Sequence, residues 1–172
     1  WAVDYDGTLY RIMELYGCTS TPNEGVKWTP DKQFEEIAKV EREHPWLKGK
    51  QIHGVADPAI WQTQTGVSVA EEATKQGVYF TPGDNSRLAG WMQLHERLRF
   101  SEDGTAGMYV FKTCRDFIRT FPALVYDERH VEDVATDTED HQGDEARYFA
   151  MARPITARVP QARPTAIYNP LR

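Results

Sequence analysis

The chain has 172 residues, enough for one well-buried domain, and 40% hydrophobic, 12% aromatic and 27% charged residues exclude a collagen-like or wholly disordered protein. No apolar run approaches the roughly 20 residues that span a bilayer, so no membrane partner is expected. The net charge of −6 is uneven: residues 153–172 hold four arginines and no acid, which leaves 16 bases against 26 acids, or −10, over residues 1–152. Bulk charge therefore does not coat nucleic acid.

Residues 1–5, Asp6-Gly7 and the alternating stretch 9–16 predict a hairpin of two antiparallel strands. Thr29-Pro30 predicts a helix start, Phe34, Ile37 and Val40 recur at helical spacing, and Pro45 ends the helix near Glu43–His44. Residues 52–56 read as a strand running into Asp57-Pro58. Ser68 caps a short helix ending at Gly77, residues 78–80 resume a strand, and Pro82-Gly83-Asp84-Asn85 is a turn. Residues 86–100 predict an amphipathic helix with Leu88, Trp91, Met92, His95, Leu98 and Arg99 along one side. A strand over 108–111 and a short helix over 114–121 follow. Nine acids fall between Asp127 and Arg147, and residues 139–151 fit a last helix. Residues 153–172, with four prolines, read as an extended basic tail. The order β-β-α-β-α-β-α-β-α implies an α/β domain over 1–152, a mixed sheet with helices on its faces.

Cys18 and Cys114 form neither a disulfide framework nor a zinc spacing, which points to reduced thiols and a cytoplasmic location. No leader pattern is present at the start. A chain that opens on Trp1-Ala2-Val3 inside a strand reads as a piece of something longer.

Among residues that could carry chemistry, Asp140, His141 and Asp144 project from neighbouring positions of one helix. Like carboxylates at that spacing repel, and a divalent cation is one compensation; a solvated acidic face is the other reading. Asp57, at the carboxyl end of a strand, stands where open α/β sheets place ligands, although Asp before Pro is also an ordinary turn former. Carboxylates of this kind suit two hard cations acting on a phosphodiester; a glycosidase's acid pair is the minor alternative. No serine-hydrolase elbow, Walker motif or dinucleotide fingerprint occurs. His53, His95 and His130 read as structural or exposed, and Trp61 and Trp91 as core aromatics.

Four segments together resemble the C-terminal nuclease domain of the large terminase subunit of tailed bacteriophages and prophages. They are Tyr5-Asp6-Gly7-Thr8-Leu9-Tyr10-Arg11 through Gly17, Gly54-Val55-Ala56-Asp57-Pro58 through Trp61, Gly77 through Asn85, and Glu139-Asp140-His141 with Asp144-Glu145-Ala146-Arg147-Tyr148. The resemblance spans about residues 1–155. It implies a ribonuclease H-like fold and a metal-dependent endonuclease that cuts concatemeric double-stranded DNA during packaging, using two Mg²⁺ or Mn²⁺ ions. Asp57 matches the family's second acid and Asp144 its third, with Asp140 and His141 as accessory metal ligands. The first acid belongs to a strand before Trp1, so this piece is expected to be weak or inactive by itself. In the intact system the partners would be the terminase ATPase domain, the small terminase subunit and the portal, in the host cytoplasm. Lys75, Arg87, Lys112 and Arg119, and above all Arg97, Arg99 and Arg115, are candidate contacts to the DNA backbone. The rival expectation is a module of the same architecture that does not cut, and grips DNA or docks on the portal.

Overall fold

The computed structural model describes residues 1–19, 21, 24–63, 66–135 and 138–155. The basic tail expected over 153–172 lies outside the described residues from 156 onward, as does Asp137 of the acidic stretch. Elements run in the order β1 (Ala2–Val3), β2 (Leu9–Arg11), α1 (Pro30–Glu43), β3 (Gly54–Ala56), α2 (Val69–Lys75), β4 (Phe80–Pro82), α3 (Arg87–Leu98), β5 (Met108–Val110), α4 (Arg115–Thr120) and α5 (His141–Ala152), with 3-10 turns at Pro58–Trp61 and Phe121–Ala123. The order follows the expected one through α4, and α5 follows α4 with no strand between them; the architecture is α/β, but the strands do not form the one mixed sheet expected.

The strands are shorter than their hydrophobic patterns and divide between two sheets. β1 pairs antiparallel with β2, and β2 pairs parallel with β5. β3 and β4 form a separate parallel pair, with Ala56 opposite Pro82. The predicted second strand, 9–16, ends at Arg11 because Glu14 is used elsewhere: its carboxylate accepts from the backbone N–H groups of Asp116 (2.8 Å) and Phe117 (3.1 Å) at the start of α4. The hairpin turn itself is folded by Asp4, whose carboxylate accepts from the N–H groups of Asp6 and Thr8.

Helix boundaries follow local chemistry. Pro30 occupies the first turn of α1, and His44 before Pro45 is already extended. Ser68 and Glu71 form a reciprocal capping box at the start of α2. α1 and α2 cover the β3–β4 pair through Phe34, Ala38, Ala73 and Val78. The main core gathers Leu9, Trp91, Leu94, Met108, Cys114, Phe117, Ala146 and Ala150 between the three-stranded sheet and helices α3, α4 and α5.

Helix α3 buries a different stripe from the predicted one. Gly90, Trp91, Leu94 and Arg97 face inward, while Leu88, Met92 and Leu98 are exposed. The cause is α5, which packs closely on α3: a Cβ at Gly90 would fall inside the side chain of Arg147. No described helix is long and apolar enough to cross a membrane.

Candidate active site

Asp57 sits where β3 gives way to a 3-10 turn. Pro58 cannot donate to a ladder, so the strand stops, and the Asp57 carboxylate caps the turn by accepting from the Ala59 N–H at 2.7 Å. Its Oδ2 also accepts from the phenol of Tyr148 at 2.6 Å. The Tyr148 hydroxyl, then the Ala59 N–H, and more distantly Arg147 hold the Asp57 carboxyl below its ordinary range. Tyr148 reaches Asp57 because Gly83, at the end of β4, has no side chain: a Cβ there would lie 2.5 Å from the tyrosine ring. The Gly83 N–H donates to the Ala56 carbonyl, which fixes that end of β4 against β3. Burial first, and Asp57 second, raise the pKa of the Tyr148 phenol.

Asp144 lies one helical turn before Tyr148 on α5, so the end of β3 and the start of α5 meet at one edge. Its carboxylate is engaged by two guanidinium groups: Arg147 Nε donates to Oδ1 at 3.1 Å, and Arg87 Nη1 to Oδ1 and Oδ2 at 3.2 and 3.3 Å. Arg147 is 2% exposed, its guanidinium stacks on the Tyr148 ring at 4.5 Å, and its Nη1 has no hydrogen-bond partner among the described residues. Arg87 opens α3. Its Nε donates to both oxygens of Asp133 at 3.1 and 3.0 Å, and its Nη2 to the Val134 carbonyl at 3.3 Å. Although burial works against the charge, Asp133 and Asp144 together raise the pKa of Arg87.

Asp140, the residue before α5, is buried, and burial together with the nearby charge of Asp144 raises its carboxyl pKa. His141 is exposed, with Nδ1 3.9 Å from Asp140. Asp84, just after β4, accepts from the Ser86 N–H, and its carboxyl is lowered first by the Ser86 side chain, then by that N–H and, more weakly, by Arg147. The buried guanidinium of Arg147 thus lowers Asp57 and Asp84 and hydrogen-bonds Asp144.

These carboxylates have the hard oxygen chemistry that Mg²⁺ or Mn²⁺ prefers, yet as arranged they do not form a coordination shell. Among the described residues no three His, Cys, Asp or Glu side chains come close enough to hold a metal ion together. Arginines hold Asp144, and a tyrosine and a backbone amide hold Asp57.

The three predicted DNA-contacting arginines separate. Arg97 is not a surface residue: it is 4% exposed and donates to the carbonyls of Gly7 and Arg153, a structural role that ties α3 to the hairpin and to the end of α5. Arg99 is exposed and paired with Glu96. Arg115, at the start of α4, is exposed with no ion pair among the described residues. Lys75 and Arg119 are engaged in ion pairs, Arg119 with both Asp116 and Glu139.

The sequence singles out Asp57, Asp140, His141 and Asp144 as candidates, but not the two guanidinium groups on Asp144 or the Tyr148 hydroxyl on Asp57. Arg147 was legible as an i,i+3 partner of Asp144, and Gly90 inside a helix marks a close approach. Nothing local links Arg87 to Asp144. Comparison with protein-family profiles, with curated proteins and with solved structures finds no match to this chain.

Proposed function

We propose that the chain is a nuclease domain of the phage large-terminase type, of ribonuclease H-like architecture, whose acidic edge acts on phosphodiester bonds of double-stranded DNA with divalent cations. The observation that carries this reading is the hydrogen bond between Tyr148 and Asp57. It joins a carboxylate at the carboxyl end of a parallel strand to the helix that bears Asp144. The two acids that the sequence resemblance singles out therefore stand on adjoining elements, at the kind of strand edge where α/β sheets place ligands. The substrate in this reading is concatemeric DNA. An ATPase domain, a small subunit and a portal are the partners in the host cytoplasm, and Arg99, Lys112 and Arg115 are exposed cations that would contact the DNA backbone.

A second reading, a packaging-motor module that does not cut, draws on the pairing of Asp144 with Arg87 and Arg147. Calorimetric titration of the 172-residue chain with Mn²⁺ separates the two. Saturable binding that disappears in both Asp57→Asn and Asp144→Asn supports the nuclease site. Absence of binding, or binding indifferent to both substitutions, leaves the non-cutting module.

A further inference from the structure

The β1–β2–β5 sheet has a second face, turned away from α5. Along β2 and β5, Leu9, Arg11, Met108 and Val110 pack inward, and Arg11 hydrogen-bonds to Gln142 and Glu145 of α5. Alternation therefore turns Tyr10, Tyr109 and Phe111 the other way. Tyr109 is 40% exposed and Phe111 36%. Paired across the ladder, the Tyr10 and Tyr109 rings stack 5.6 Å apart with planes 15° from parallel. Phe111 meets Trp46 edge-on at 5.8 Å, and Trp46 meets His44 at 5.6 Å, so the rings continue onto the turn after α1.

The strip is both fixed and open. The Tyr10 hydroxyl donates to Asp4 at 3.1 Å, and the Tyr109 hydroxyl accepts from the Ala106 N–H at 3.1 Å. Trp46 nevertheless stays 56% exposed, which leaves one of the largest apolar side chains uncovered. Local charge identifies the partner. Residues 1–152 sum to −10, yet the segment 42–50 that carries Trp46 holds three bases, Arg42, Lys48 and Lys50, against one acid, Glu43. All three bases are exposed, and none is in an ion pair among the described residues. The acids Asp4 and Asp6 lie at the other, Tyr10 end of the strip.

Exposed rings beside unpaired cations suit a polyanion built of flat apolar units. In single-stranded nucleic acid the base faces are free to stack on aromatic side chains while the phosphates meet lysine and arginine; in a duplex those faces are already stacked on each other. We infer that this strip binds single-stranded nucleic acid, with unpaired bases on Trp46, Phe111 and Tyr109 and phosphates on Arg42, Lys48 and Lys50. The surface uses neither Asp57 nor Asp144 and needs no metal ion, so it stands or falls apart from the proposed nuclease site.

The test is fluorescence anisotropy of an end-labelled oligothymidylate about 12 nucleotides long. It is titrated with the 172-residue chain at low salt in EDTA, which removes divalent cations and any cleavage. Saturable binding is expected, about tenfold or more tighter than to a duplex of the same length, since one stacked base alone is worth that factor. Trp46→Ala should weaken it about tenfold, and Trp46→Phe, which keeps a ring, should restore most of the affinity. Arg42→Gln, Lys48→Gln and Lys50→Gln combined should flatten the slope of log K against log salt by about 2. Thermal melting checks each fold; should Trp46→Ala not fold, Trp46→Leu keeps apolar bulk and should lose the same affinity. Asp57→Asn and Asp144→Asn should leave the curve unchanged, and weakening by either overturns the placement on this face. No binding by the unmodified chain, a duplex bound as tightly as the single strand, or folded Trp46 variants without a ring that bind equally well each overturn the inference.

Discussion

Tyr148 and Asp57 are 91 residues apart in sequence and share a hydrogen bond of 2.6 Å. That bond is the seam between the β3–β4 pair and helix α5, and it makes Asp57 part of the same edge as Asp144. Removing the hydroxyl should therefore act on Asp57 directly. In Tyr148→Phe the Asp57 carboxyl, held low chiefly by this phenol, should titrate closer to an ordinary aspartate, which ¹³C carboxyl shifts against pH would read. A lowered carboxyl pKa contributes stability that is present above the unfolded value and lost as pH falls. Because Asp57 is exposed and screened by water, the substitution should thus cost about 1 kcal/mol or less near neutrality, and less still in acid. An unchanged Asp57 midpoint would contradict the seam.

Two glycines make the helix packing possible. Gly90 admits the Arg147 side chain, and Gly83 admits the Tyr148 ring. A methyl at either position meets a side chain that has no room to retreat. Gly90→Ala and Gly83→Ala should each destabilise by about 1–3 kcal/mol, measured by urea unfolding. Gly83→Ala should in addition raise the Asp57 carboxyl pKa by moving Tyr148 away. Neutral substitutions would show that α5 does not sit this close.

The arginines divide into structural and exposed groups, and mutation should separate them. Arg97→Ala leaves the carbonyls of Gly7 and Arg153 without their donor, and should cost about 2–3 kcal/mol because the lost bonds are charge-assisted. Arg99→Ala and Arg115→Ala should each change stability by less than ~0.5 kcal/mol. Loss of DNA binding in Arg97→Ala with stability unchanged would contradict this division.

Glu139 accepts from Arg119 and from Tyr16, and these partners, Arg119 first, lower its carboxyl from 4.5 to about 2. The sign is that of a depressed acid: its stabilisation is complete above pH 4.5 and fades as pH falls toward 2. Because Arg119 is half exposed, the pair is screened, and the gain is about 1 kcal/mol or less. Glu139→Gln should remove that part of the acid-induced loss of stability. Denaturant midpoints compared at neutral pH and in acid would read it. An equal acid loss in both proteins would show that the pair does not hold the approach to α5.

Much of the local structure was written in the sequence. Pro30, Pro45, the Ser68 capping box and Pro58 start and stop their elements through backbone chemistry confined to a few residues. The strands were overextended because alternation reports a buried face and not where the ladder ends; Glu14 leaves the sheet for a partner more than 100 residues away. The stripe of α3 was misplaced for the same kind of reason. Hydrophobicity favours Leu88, Met92 and Leu98, but a glycine at 90 and a guanidinium at 97 with two carbonyl partners define the buried side. At the acidic edge, residue type and spacing mark the carboxylates and the i,i+3 partner Arg147, whereas Arg87, 57 residues before Asp144, leaves no local trace.

Under the proposed function, Asp57 and Asp144 would serve one cation site at the edge where β3 meets α5. A crystal of the 172-residue chain soaked in Mn²⁺, with an anomalous difference map, tests it most directly. The expected result is a Mn²⁺ peak within coordination distance of both carboxylates. A fully soaked crystal with no peak there would contradict it.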